Sequence, residues 1–226
     1  MLTTTGTVAG VPAQRGAHER PARAGSTVVR DLRGRGAHGP RALDFADGDI
    51  VVVSGLPGGG KSTLIKRAAA GGVDSQDTRE RWERQMPDAL PYAVYRPLVR
   101  VAHYWGLWRV LRSGASVVVH DCGTQRWVRA LLAGFARRRD RALHLLLLDT
   151  SPQEALAGQE ARGRRVSAYA FSRHRGAADR LLRDAESGSL PRGCASAVLL
   201  DRAAASRITR ITFGPTPPTH TSTPAA

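Results

Sequence analysis

The stretch DIVVVSGLPGGGKSTLIKRAAAGG, from Asp49 to Gly72, decides the fold that we predict for this chain. The apolar run IVVV, residues 50–53, predicts a strand that is buried on both faces. The segment STLIKRAAAGG, residues 62–72, predicts a helix that ends at a pair of glycines. Between them, GLPGGGKS satisfies the pattern G-x-x-x-x-G-K-[ST], which indicates a phosphate-binding loop when a strand precedes it and a helix follows it.

The chemistry of this loop predicts binding of ATP with Mg²⁺. Glycines let the backbone curl around an anion with successive N–H groups pointing inward, and the helix adds the positive end of its dipole. We expect Lys61 to reach the β- and γ-phosphates and the hydroxyl of Ser62 to ligate Mg²⁺. The predicted nucleotide-binding residues are Gly55, Leu56, Pro57, Gly58, Gly59, Gly60, Lys61, Ser62 and Thr63.

A carboxylate at the end of a neighbouring strand is expected near the metal ion. Two apolar runs end in aspartate: VVVHD at Asp121 and LLLLD at Asp149. Asp149 is followed by TSP, which is typical of a strand-to-helix connection, whereas CGTQ after Asp121 does not restart a helix at once. We therefore prefer Asp121 as the metal ligand and keep Asp149 as the alternative.

The remaining pattern predicts a three-layer α/β fold, a parallel sheet covered by helices on both faces, with the strand before the loop central in the sheet. Continuous apolar strands alternate with helical segments along the chain, as in parallel sheets. The segment from Arg96 to Gly114 has apolar residues at helical spacing: Leu98, Val101, Trp105, Trp108 and Leu111. Residues 1–40 and 214–226 have compositions typical of disordered tails, which leaves residues 41–213 as the folded domain.

Charge and composition restrict the partners without naming one. The formal net charge is +15, but the chain has only two lysines, so its arginine bias fits a high-GC genome as well as a polyanionic partner. Nucleic acid is therefore compatible with the sequence but not required by it. We expect no membrane span, no secretory signal and, with two cysteines far apart, a cytoplasmic protein.

From about Ala42 to Phe213 the chain resembles the P-loop kinases grouped with polynucleotide 5′-hydroxyl kinases, zeta toxins, and chloramphenicol and gluconate kinases. It looks most like bacterial AAA family ATPases of that type. The resemblance rests on the loop at residues 55–62, on VDSQDTRERW after the first helix, and on the arginine-rich segment QEARGRRVSAYAFSRHRG. It implies an ATP-dependent phosphotransferase.

The resemblance also implies roles for residues outside the loop. In such kinases an Asp after the second strand serves as general base and a nearby Arg grips a phosphate, which here falls on Asp74 or Asp77 and on Arg79. An arginine-rich lid closes over ATP, and its expected residues are Arg162, Arg164 and Arg165. The segment after the last strand, with Arg202, resembles the place where these kinases hold adenine. The implied catalytic residues are Lys61, Asp74, Asp77, Arg79, Asp121, Arg162 and Arg165.

The sequence supports more than one function. The first hypothesis is a kinase that transfers the γ-phosphoryl group of ATP to a small-molecule or nucleic-acid hydroxyl. The alternative is an ATP-dependent regulatory switch with slow hydrolysis and a macromolecular partner. A third and weaker hypothesis is a kinase of polynucleotide ends. The sequence identifies neither the acceptor nor the oligomeric state.

Overall fold

The computed structural model describes residues 28–69, 92–120, 126–163 and 166–215, and within them a parallel sheet forms as predicted. Five strands lie in the order β1-β6-β5-β3-β4, and each neighbouring pair is parallel. A second sheet of two strands pairs β2 with β7. The strand bounds are β1 Val28–Asp31, β2 Ala42–Ala46, β3 Ile50–Gly55, β4 Val117–His120, β5 Leu143–Leu148, β6 Ser196–Leu200 and β7 Arg210–Gly214.

Helices connect these strands and carry the chain back across the sheet. Strand β3, which precedes the glycine-rich loop, lies inside the sheet between β4 and β5. A short 3-10 turn covers Gly36–His38. The helix bounds in the described part of the chain are α1 Lys61–Ala68, α2 Tyr92–Ser113, α3 Arg126–Arg137, α4 Pro152–Glu160, α5 Ala168–Glu186 and α6 Arg202–Arg207.

Alternate residues of the buried strands contribute to two hydrophobic clusters, one on each face of the sheet. On one face, Val52 and its neighbours pack with residues of α2, α3 and α5. On the other face, Val51 and Val53 pack with residues of α1 and α6. The predicted three-layer α/β architecture is therefore confirmed. No helix in the described ranges is both long and apolar enough to cross a membrane.

One prediction near the amino terminus needs correction. Val28–Asp31 form β1 and pair with β6, so the boundary predicted at residue 41 lies too late in the chain. Residues 1–27 and 216–226 lie outside the described residues. Strand β2 is followed by a turn in which Gly48 has φ +82°, and it pairs with β7, 168 residues further on, although β3 is its neighbour in sequence. Composition did not reveal either pairing because both partners come from the far end of the chain.

Helix α2 forms where its apolar spacing predicted a helix, but it buries a different side. Of the stripe used for the prediction, only Leu111 is buried, whereas Leu98, Val101, Trp105 and Trp108 are exposed. Leu107 and Leu111 pack on the sheet instead. Apolar residues occur on all sides of this helix, so periodicity identified a stripe but not the one that faces the core.

Candidate nucleotide-binding site

The glycine-rich loop is held in a conformation that needs glycine. Gly58 and Gly60 have φ values of +88° and +93°, in the left-handed region that side chains disfavour. A Cβ atom on Gly58 would lie 2.0 Å from the carbonyl oxygen of Ala155 in α4, and a Cβ on Gly158 would lie 2.3 Å from the oxygen of Gly58. The loop therefore packs against α4 backbone to backbone, which fixes its shape from outside.

Lys61 and Ser62 open α1 at the carboxyl end of β3, where the sequence predicted them. The ammonium of Lys61 donates hydrogen bonds to the carbonyl oxygens of Gly55 and Leu56, both at 2.8 Å. Its side chain thus folds back across the loop rather than into solvent, and the residue is only 6% exposed. Ser62 is buried beside it, whereas Thr63 is exposed on the outer side of the helix. A cation and a hydroxyl are thus brought together at a helix N-terminus, the arrangement that suits a phosphate with its metal ion.

Two polar residues that the sequence analysis missed support the loop. Gln159 is 5% exposed, donates from Nε2 to the carbonyl oxygen of Pro57 at 3.1 Å, and accepts from the N–H of Val166 at 3.0 Å. Thr150 donates to the carbonyl oxygen of Gly59 at 3.3 Å. Gln159 therefore links the loop to the chain that directly follows the predicted lid arginines. The signal in the sequence that could have identified Gln159 is its position at the start of the arginine-rich segment.

The residues implied by the resemblance are only partly described. Asp74, Asp77, Arg79, Asp121, Arg164 and Arg165 lie outside the described residues. Arg162 is exposed in the turn after α4, next to Gly163 with φ +62°. The structure therefore brings together the loop, Lys61 and Ser62, and leaves the placement of the acceptor residues as a prediction.

The alternative metal ligand, Asp149, already has a cationic partner. Arg33, from the segment predicted to be a tail, donates at 2.7 Å to the carboxylates of Asp31, Asp149 and Glu186. The hydrogen bond with Asp31 is the main reason that the pKa of Arg33 is raised and that of Asp31 lowered. An arginine that pairs with Asp149 reduces the attraction of this carboxylate for a metal ion, and Asp121 stays a prediction.

Beside Asp149, a cavity of about 500 Å³ opens at the carboxyl ends of β5 and β6. Arg202, which begins α6, lines it together with Glu154 and Asp201. Asp201 caps α6 through the N–H of Ala204 and also accepts from the N–H of Gly34. Hydrogen bonds from Ser151 lower the pKa of Glu154, within the capping box that begins α4. The cavity lies where the resemblance implied that adenine is held.

The chain was compared with protein families, curated proteins and solved structures. The family model described as AAA domain matches residues 50–186, which include the loop and helices α1 to α5. Among solved structures, the chain is similar to a suspected kinase from Chloroflexus aurantiacus J-10-fl. The two share 17% sequence identity with a TM-score of 0.46, over 71% of this chain and 88% of that chain. No curated protein matches the chain.

The family match covers more than half of the chain, and it includes the strand, loop and helix on which the sequence analysis depended. It supports a nucleotide-binding, kinase-like domain without naming a substrate. The chain therefore belongs to the AAA domain family, as a P-loop kinase-like member.

Proposed function

We propose that this protein is a kinase that transfers the γ-phosphoryl group of Mg-ATP to a hydroxyl of a small molecule or a nucleic acid. The observation that carries the proposal is the loop itself, in which Lys61 folds across Gly55 and Leu56 at the start of α1. A cation in that position can follow the β- and γ-phosphates as negative charge shifts during transfer.

We assign the following binding roles to the residues of this chain. The loop amides and Lys61 bind the phosphates, while Ser62 and Asp121 hold Mg²⁺ directly or through water. When bound, Mg²⁺ neutralises phosphate charge and orients the γ-phosphoryl group. The cavity beside Arg202 holds the adenine, because Glu154 and Asp201 offer carboxylate acceptors for its amino group. None of these contacts requires a membrane, and we expect the protein to work in the cytoplasm.

In the transfer step, the acceptor oxygen attacks the γ-phosphorus and forms a new P–O bond. The bond from that phosphorus to the β,γ-bridging oxygen breaks, and ADP leaves with the electron pair. Asp74 or Asp77 takes the proton of the acceptor hydroxyl, and Arg79 grips a phosphate. Arg162 and Arg165 offset the negative charge that develops on the γ-phosphoryl oxygens and exclude water when the lid closes.

The test is a transfer assay with ATP labelled in the γ-phosphate. The protein is incubated with Mg-ATP and size-fractionated cell extract, with Lys61→Met and Asp47→Asn as variants. We expect label on an acceptor with the wild type and with Asp47→Asn, an exposed change outside the site, and none with Lys61→Met. Label that appears only as free phosphate, at a slow rate unaffected by extract, would contradict the kinase and favour the ATP-dependent switch.

A further inference from the structure

Helices α2 and α3 present an exposed apolar surface that the kinase proposal does not use. On α2 it comprises Leu98, Val101, Trp105 and Trp108, with exposed fractions of 55%, 66%, 59% and 36%. On α3 it comprises Trp127 at 57% and Leu131 at 46%. The ring of Tyr104 lies 5.5 Å from that of Trp127, so the two helices contribute to adjoining parts of one surface. We call these six residues the aromatic face.

Two of its rings are already arranged as a stack. The centroids of Trp105 and Trp108 lie 4.9 Å apart with an interplanar angle of 30°. The guanidinium of Arg112 lies 4.7 Å from the centroid of Trp108. These contacts hold the two rings in place, and 59% of Trp105 and 36% of Trp108 remain exposed to another flat ring. Three exposed tryptophans on one surface are typical of an interaction site rather than of scattered apolar residues.

The charge around the aromatic face has one sign. The sequence of α2 contains four arginines, that of α3 contains three, and neither contains Asp or Glu. Arg109, Arg112 and Arg126 are exposed, and no carboxylate of the described residues forms an ion pair with them. An anionic partner would therefore gain attraction without displacing an ion pair of the described protein.

The positive charge also indicates which kind of partner the aromatic face can bind. A second copy of this chain, related by a two-fold axis, would place these arginines opposite arginines, and like charges oppose such a contact. A single-stranded nucleic acid complements both features of the face. Its phosphates are anionic and can pair with the arginines, and its bases can stack on the aromatic rings. The stacked geometry of Trp105 and Trp108 suits a flat base better than it suits mobile lipid chains.

We propose that the aromatic face binds single-stranded nucleic acid, with bases stacked on Trp105 and Trp108 and phosphates bound by Arg109, Arg112 and Arg126. The face is separate from the phosphate loop. Helices α2 and α3 cover one side of the sheet, whereas α1, which carries Lys61 and Ser62, packs on the other. Binding therefore does not depend on ATP, and the proposal stands whether or not the protein is a kinase.

The test measures binding of fluorescein-labelled single-stranded oligonucleotides, dT20 and rA20, by anisotropy over a series of salt concentrations. We expect Trp105→Ala with Trp108→Ala to weaken binding about tenfold or more, because each stacked base contributes roughly 1–3 kcal/mol and 1.4 kcal/mol corresponds to tenfold. Trp105→Phe with Trp108→Phe keeps the stack and should retain affinity within about threefold. Thermal melting of each variant checks that it is folded.

Charge variants separate the face from the general basicity of the protein. Arg109→Ala with Arg112→Ala should reduce the slope of log affinity against log salt by about 1.4, or about 0.7 for each lost phosphate contact. Arg180→Ala with Arg183→Ala removes the same charge from the exposed side of α5 and should leave the slope nearly unchanged. Lys61→Met should bind the oligonucleotide as the wild type does.

Four results would each overturn the proposal. The wild type could fail to bind either oligonucleotide, or all variants could bind equally, which would leave only unspecific attraction. Sedimentation could show a dimer that the tryptophan variants abolish, which would assign the face to a second copy. Binding to vesicles of anionic phospholipid, lost in the same variants while oligonucleotide binding is unchanged, would assign it to a membrane surface.

Discussion

The two ends of strand β3 differ in the role of their buried polar groups. At the carboxyl end, Lys61 and Ser62 are assembled around a loop that is shaped by glycines with positive φ values. At the amino end, Asp49 accepts hydrogen bonds from the N–H groups of Ala142 at 2.8 Å and Ala46 at 3.1 Å. Burial of a charged group is costly in both places. The comparison shows that one strand can position polar groups for a ligand at one end, while polar groups at its other end hold the neighbouring backbone in place.

The amino end forms a closed network through a histidine. His144 Nε2 lies 3.0 Å from the Asp49 carboxylate, and its Nδ1 lies 2.8 Å from Ser196 Oγ. In the tautomer protonated at Nε2, the imidazole donates to Asp49 and accepts from the hydroxyl. Asp49 precedes β3, His144 is the second residue of β5 and Ser196 begins β6, so the network joins the amino ends of three neighbouring strands. We therefore expect variants at this end to change stability and variants at the loop to change ATP chemistry.

The largest effect is expected from Lys61→Met, which keeps the aliphatic stem but removes the charge. The rate of phosphoryl release or transfer from Mg-ATP should fall about 100- to 1000-fold, because one donor to developing charge is lost. The free energy of unfolding without nucleotide should change by no more than about 1–2 kcal/mol, because the loss of two hydrogen bonds is offset by removal of a buried charge. Radiolabelled ATP turnover and urea unfolding measure the two quantities. A large loss of stability without loss of turnover would show that Lys61 serves the fold rather than ATP chemistry, and would contradict the difference between the two ends of β3.

Gly58→Ala should lower the free energy of unfolding by roughly 3 kcal/mol. Its Cβ would lie 2.0 Å from the oxygen of Ala155, so the loop or α4 would have to shift. Gly60→Ala is the matched control, because its φ of +93° is just as unfavourable but no atom lies within 4 Å of the added Cβ. We expect it to cost only about 1–2 kcal/mol. Equal losses in urea unfolding would show that backbone conformation, not contact with α4, determines the loop.

Asp49→Asn should lower stability near pH 7 by about 2 kcal/mol while leaving affinity for ATP unchanged. Burial by itself raises the pKa of Asp49, but hydrogen bonds from His144, Ala142 and Ala46 outweigh it, and the pKa is lowered. The stabilisation from the ionised carboxylate is therefore complete above the unfolded pKa of about 3.9 and is lost as pH falls through the lower folded value.

Urea unfolding between pH 7 and pH 3.5 measures this dependence. The difference between wild type and Asp49→Asn should be constant above about pH 5 and should shrink below about pH 4. Asp47→Asn, an exposed change two residues away, should give no such difference. A difference that grows as pH falls would have the wrong sign for a carboxylate with a lowered pKa.

The smallest effect concerns Cys194, which precedes β6 at the same end of the sheet as Asp49. Burial raises the pKa of this thiol to about 11, with the nearby charge of Arg129 opposing the shift. In a Cys122→Ala background, alkylation by iodoacetamide at pH 8 should be at least about tenfold slower than for a free cysteine, because the thiolate is the reactive form. Urea should restore the ordinary rate. Fast alkylation of the folded protein would mean that this end is more open than its packing indicates.

The sequence predicted the elements that carry their own local signal. The loop at residues 55–62 was recognisable because glycine, lysine and serine occur at fixed spacing between a strand and a helix. The N-terminal cap of α4 is equally local, because Ser151, Pro152 and Glu154 lie within one turn, where the structure contains a capping box. The helix α2 was predicted from its apolar spacing, but its buried side was not, since a helix with apolar residues on every side does not specify which side faces the core.

By itself, the sequence determined the phosphate-binding loop, the alternation of strands and helices, and hence a parallel α/β sheet. Only the tertiary structure decided that Arg33 pairs with Asp149, that β2 pairs with β7, and that Gln159 supports the loop. The reason is physical. A loop or a cap depends on residues within a few positions, whereas these contacts join residues about a hundred or more positions apart, and only the packed sheet brings them within hydrogen-bonding distance.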